Sequence, residues 1–110
     1  EEDRYEEWAI AHRDRLQNIY LCLLDRLGRY QYDQGDDISC IERCHKILEV
    51  DPCREEAHRR LMRCYMRQGQ PYLAVRQYHL CIERLKNELN VPPASETLNL
   101  YNQIRGAGSL

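Results

Sequence analysis

Apolar residues return along the chain every three or four positions, the spacing of one helix face, and no stretch alternates as a half-buried strand would. The longest run joins Tyr5, Trp8, His12, Leu16, Ile19, Leu23, Leu27 and Tyr30. No proline interrupts it, so it predicts one long helix over about 5–34, with Gly28 the place where it would bend. Gly35-Asp36-Asp37 ends that helix, and either aspartate can accept from the unpaired N–H groups that open the next one. A second helix follows over about 37–50, with Ile38, Ile41, Cys44, Ile47 and Leu48 as its apolar stripe. Asp51-Pro52 reads as a cap followed by a proline in the first turn, opening a third helix over about 52–68. Ala57, Leu61, Cys64 and Tyr65 are its inward positions. Gly69-Gln70-Pro71 turns the polypeptide into a fourth helix over about 71–89, carrying Ala74, Tyr78, Cys81, Ile82, Leu85 and Leu89. Asn90-Val91-Pro92-Pro93 enforces extended backbone. A last helix over about 95–105 is expected to bury Leu98, Tyr101 and Ile104, and 106–110 reads as a linker or expression scar.

The pattern repeats. Gly35 and Gly69 each close a helix and lie 34 residues apart, the period of the tetratricopeptide repeat. The same shift superposes Leu27 on Leu61, Gln34 on Gln68, Cys40 on Ala74, Cys44 on Tyr78, Ile47 on Cys81, Leu48 on Ile82 and Glu49 on Glu83. Small residues at Gly28, Cys40 and Ala74 let paired helices approach, while Leu61, Tyr65 and Tyr78 fill the space between pairs. Gly35 and Gly69 supply the left-handed backbone that ends the first helix of each pair. Met62 stands where the repeat has a small residue, and Lys86 where it has a closing proline, so the fourth helix should overrun. Stacked repeats leave apolar ends that need capping, a role open to the long first segment and the helix after Ser95. The expected fold is therefore all-α. It is a right-handed stack of antiparallel helix pairs, two repeats plus a long N-terminal helix and a C-terminal capping helix, forming one domain over 1–110.

Composition then excludes several roles. The formal net charge is −2, so no overall excess of basic charge invites nucleic acid or a membrane surface. Residues 1–50 carry −5 and residues 51–110 carry +3, an asymmetry that could orient a protein partner, although solvated helix faces often differ as much. No run approaches the roughly 18 apolar residues of a membrane span. The first residues, Glu1-Glu2-Asp3-Arg4, lack the character of a secretion signal and read as the start of an excised fragment. A soluble, cytoplasmic protein is expected. Five of the six cysteines (Cys22, Cys40, Cys44, Cys64 and Cys81) fall where a helix wants a small apolar residue, which suits reduced structural thiols better than disulfides.

Candidate chemistry is sparse. Arg59, Arg63 and Arg67 are spaced at four on one face of the third helix, and Arg29, Tyr32 and Asp33 hold analogous places one repeat earlier. In tetratricopeptide folds this face lines a concave groove, so these six residues form a candidate partner-binding groove. Guanidinium forks there would favour an acidic segment or the free carboxylate that ends a polypeptide. The competing reading has the arginines solvated or paired locally, for example with Glu55 or Glu56. Arg54, His58, Arg59 and Arg60 cluster without interleaved aromatics, which argues against nucleic-acid binding. Cys40, Cys44 and His45 lack the spacing of haem attachment or a zinc knuckle, and Cys40 matches a position that must be small, so no metal site is assigned. No glycine-rich phosphate loop, nucleophile turn or carboxylate cluster appears, and His12, His45, His58 and His79 are scattered. Neither a catalytic residue nor a cofactor is expected, and Trp8 reads as an anchor for the first helix.

Longer stretches are also informative. They are Tyr5-Glu6-Glu7-Trp8, the charged helix through Arg15-Leu16, Asp51 to Met62 (DPCREEAHRRLM), Gly69 to Tyr78 (GQPYLAVRQY) and Glu88 to Thr97 (ELNVPPASET). Together they resemble the bacterial transcriptional activator domain over residues 5–105, and the last stretch is not one that ordinary tetratricopeptide proteins carry. Asn90 stands where the family usually has Gly and Pro92 where it often has Glu. The resemblance implies a regulatory module that follows a winged-helix DNA-binding domain and acts through contacts within the regulator and with protein partners. No winged helix lies within these residues, so direct DNA binding by this segment is not expected. A general tetratricopeptide adaptor capturing an acidic or C-terminal peptide is the alternative.

Overall fold

The computed structural model describes residues 2–108. Glu1 and the end of the expected tail, Ser109 and Leu110, lie outside the described residues. Among the described residues five helices follow one another: α1 (Glu2–Asp33), α2 (Asp37–Val50), α3 (Glu55–Arg67), α4 (Pro71–Leu89) and α5 (Ser95–Gly108). Helix α1 packs on α2, and α3 on α4; α2 joins the two pairs through α3, and α5 covers α4 and α3. This is the expected all-helical repeat architecture. At 64 × 32 × 17 Å the molecule is elongated, because a 32-residue α1 outruns its 14-residue partner α2.

Each turn has a local cause. Gly35 and Gly69 adopt φ of +79° and +73°, and a Cβ at either would meet nothing within 4 Å, so backbone conformation alone demands glycine there. The Asp36 carboxylate accepts from Ser39 N at 3.3 Å and caps α2. Asn90 ends α4 with φ of +51°, which explains why asparagine can stand in a glycine position: its short polar side group tolerates the left-handed region. The third helix departs from expectation. Asp51 O accepts from Arg54 N at 3.2 Å and its carboxylate from Cys53 N at 3.3 Å, making a turn of the Asp51-Pro52 segment. That turn delays the start of α3 to Glu55. At the other end of the molecule, α5 continues through 106–108, so these residues are helix rather than linker.

The core has two parts. Leu21, Leu24, Cys40, Cys44, Ile47, Ala57, Leu61 and Cys64 bind the first pair to α3. Met62, Ala74, Tyr78 and Ile104 bind the second pair to α5, where the Tyr78 and Tyr101 rings stack at 3.8 Å. Met62, unusually large for its repeat position, is fully buried in this second cluster, where its flexible thioether suits the space α5 must close.

Several inward assignments are corrected. Leu21 and Leu24, not Leu23, face α2, which leaves Leu16, Ile19, Leu23, Leu27 and Tyr30 exposed together with Tyr5 and Trp8. Trp8 therefore anchors α1 to no other helix among the described residues; its ring contacts are within α1, stacked on His12 with centroids 5.2 Å apart and tilted against Tyr5 at 6.4 Å. Cys22 is exposed for the same reason, and Ile38, Leu89 and Leu98 also lie on outer faces. Thr97, assigned no role from sequence, is fully buried.

Candidate protein-binding surfaces

Helix α3 is the hub of the predicted groove. Arg29 and Tyr32 of α1, Arg59 and Arg63 of α3 converge with Glu56, Arg60 and Glu96 on a recess of about 290 Å³. Asp33 and Arg67 do not line it. Asp33 is exposed at the end of α1, whereas Arg67 ties α3 to the turn after α1: it pairs with Asp37, donates to Tyr32 O at 2.9 Å and lies 3.9 Å over the Tyr32 ring.

Most of the guanidinium groups are committed to holding helices together. Arg60 donates to Asp25 at 3.1 Å and to Glu56 at 3.2 Å. Burial works against the Arg60 charge, but the Asp25 hydrogen bond and field, joined by the field of Glu56, leave its pKa raised. Arg29 pairs with Glu56 at 3.1 Å and Asp25 at 3.6 Å. Gly28 packs beside this network, where a Cβ would lie at ordinary contact distance, 3.4 Å, from Arg60 Nη1. Arg59 donates to Thr97 Oγ1 at 2.9 Å and pairs with Glu96 at 3.5 Å. Glu55, one turn earlier, accepts from Ala94 N at 2.9 Å and from the Thr97 hydroxyl at 2.7 Å. Glu55 and Arg59 thus clamp the start of α5, which gives the Ala94-to-Thr97 stretch its structural meaning. The signal in the sequence was the pair Glu55 and Arg59 at i, i+4, but their partner lies about 40 residues on. Arg63, by contrast, is exposed at the recess and makes no ion pair among the described residues.

On the opposite side of α3, His58 is buried and fully bonded. With its Nε2–H donating to Pro52 O at 2.8 Å, Nδ1 accepts from Gln77 Nε2 at 2.8 Å. Burial lowers its pKa, so the ring is a neutral strut between α3, α4 and the α2–α3 turn. The cysteines are all unbridged. Cys40, Cys44 and Cys64 meet in the core, where the neighbouring Cys40 side chain and burial push the pKa values of Cys44 and Cys64 up. Among the described residues no group of three His, Cys, Asp or Glu is arranged to hold a metal ion. Nor is any described helix long and apolar enough to cross a membrane.

The outer face of α1 is an open apolar surface. Tyr5, Trp8, Leu16, Ile19, Leu23, Leu27 and Tyr30 are all exposed along it. The repeat shift of 34 places Leu23, Leu27 and Tyr30 on Ala57, Leu61 and Cys64 of α3, and these three are fully buried against the preceding pair. No curated protein matches the sequence significantly. Residues 1–105 match the family model described as Bacterial transcriptional activator domain. With a match over nearly its whole length, on an all-helical repeat, the protein belongs to the bacterial transcriptional activator domain family.

Proposed function

We propose that this domain is a regulatory contact module of a bacterial transcription regulator, acting in the cytoplasm by protein–protein or interdomain binding rather than by catalysis or by gripping DNA itself. The observation that carries this reading is the inequality of Leu27 and Leu61. The two are repeat equivalents, yet Leu27 is 40% exposed and Leu61 0%. An apolar face of this length on a helix marks an interaction surface, because lone exposed apolar residues are common but contiguous ones are not. The test is a charge placed on the face. Leu23→Glu with Tyr30→Glu, both at exposed positions, should leave helicity and melting unchanged and reduce reporter transcription driven by the regulator that carries the domain. Undiminished transcription at normal protein level would remove this face from the mechanism.

A second reading rests on Arg63. It is exposed at the recess and holds no ion pair among the described residues, whereas Arg29, Arg59 and Arg67 are engaged, so the predicted groove of Arg29, Tyr32, Asp33, Arg59, Arg63 and Arg67 keeps a cation available to a carboxylate. In this reading the domain is an adaptor for an acidic or C-terminal peptide.

A further inference from the structure

The exposed face of α1 has a regular geometry beyond its apolar character. Tyr5, Leu16 and Leu27 are eleven residues apart in turn, as are Trp8, Ile19 and Tyr30, and His12 and Leu23. Eleven residues make about three helical turns, so the seam stays nearly straight along the helix for roughly 38 Å instead of winding around it. Its two edges differ. Arg4, Arg15 and Arg26 repeat at the same interval along one edge, all exposed and none in an ion pair among the described residues. Ala9, Tyr20 and Gln31, the corresponding positions of the other edge, carry no charge. A shallow depression of about 670 Å³ runs beside the arginine edge, lined by Arg15, Ile19, Cys22, Leu23 and Arg26, with Asp14 its one acid.

We infer that this face takes a single amphipathic α-helix from another polypeptide segment, whose apolar seam is bordered on one side by carboxylates at eleven-residue spacing. The inference rests on the contact-module reading and specifies its partner. A helix is the occupant that satisfies its own backbone while covering a straight apolar seam; an irregular segment would leave N–H and C=O groups unpaired against it. Carboxylates are the complement of three arginines on one edge that hold no ion pair among the described residues. A second copy is the wrong partner. Antiparallel pairing of two α1 helices brings like edges together and sets the arginines against arginines, and parallel pairing sets them against Ala9, Tyr20, Gln31 and Arg13 rather than a row of carboxylates.

The single tryptophan, Trp8, lies in the seam and reports its occupation directly. Two synthetic 26-residue helical peptides serve as probes, both with leucine at the seam positions of an eleven-residue repeat. One has glutamate, the other lysine, at the three edge positions. At low salt the glutamate peptide should blue-shift Trp8 emission and bind at least about fivefold more tightly than the lysine peptide, a gap that narrows as salt rises. Arg15→Glu with Arg26→Glu, exposed positions whose folding is checked by circular dichroism, should invert the preference. Equal affinity for the two peptides would overturn the acidic-edge assignment and leave the contact face standing. Binding of neither would overturn both. Self-association through α1 without peptide, abolished by Leu23→Glu in sedimentation, would replace the proposed partner by a second copy.

Discussion

Arg60 of α3 lies 3.1 Å from Asp25 of α1, with only 7% and 11% of the two side chains exposed. The pair is the charged fastening between the long helix and the hub of the second repeat. Burying an ion pair is expensive, and what keeps this one favourable is the added contact of Arg60 to Glu56. Asp25→Ala leaves a buried guanidinium short of a partner and should destabilise the fold by about 3 kcal/mol in urea unfolding. Asp25→Leu combined with Arg60→Met should recover most of that loss, because the desolvation penalty goes with the charges. A double variant as unstable as the single one would contradict this account.

His58 makes stability depend on acidity. Its folded pKa is lowered by burial from the usual value of about 6.5. Protons therefore bind the unfolded state first, and the stabilisation is present above about pH 6.5 and lost as pH falls toward the folded pKa. His58→Gln removes the titration. Its unfolding free energy should be flat between pH 7 and 5 relative to the slope of the parent protein, as followed by denaturant melts across that range.

The thiols should separate by location. A disulfide reagent at pH 8 should label Cys22 quickly, since it alone is exposed, and reach Cys40, Cys44, Cys64 and Cys81 only on unfolding. Burial pushes Cys81 up to about 12, against 9.0 for a free thiol. The unfolded state thus loses that proton first, and stability should fall as pH rises from about 9 toward 12. Mass spectrometry of timed labelling reactions checks the first statement and alkaline melts the second.

At Gly69 the strain is purely backbone. A side group would meet no neighbour, yet φ is +73°. Gly69→Val should destabilise by about 1 kcal/mol or more, because a β-branched residue resists that region. An unchanged melting curve would mean the turn has another solution.

Arg63→Glu tests the groove. If an acidic peptide with a free C-terminus binds the recess, the reversal should abolish binding, while helicity and melting stay near those of the parent protein because Arg63 holds no ion pair among the described residues. Retained binding would place the peptide elsewhere.

The helices and turns were legible because their causes are local. Gly35 and Gly69 carry their conformational reason in their own missing Cβ, and the bounds of α2 and α4 follow from an aspartate cap, a proline and a glycine within a few residues. The 34-residue period and the family resemblance were equally plain from residue order. The start of α3 was less so, since the Asp51 turn competes with a helix that Pro52 could also have begun.

What residue order could not decide was which apolar stripe of α1 lies inside. The helix has two candidates, Leu21 with Leu24 and Leu23 with Leu27, and the choice depends on where α2 and α3 arrive across space. The arginines pose the same difficulty. A guanidinium on a flexible stem pairs with whichever carboxylate the fold brings near, and for Arg60 that was Asp25, 35 residues away, while Arg59 found Glu96 and Thr97. Periodicity determines that a helix has an apolar face and a charged one; only the packing of distant helices determines which face is covered and which charges are left for a partner.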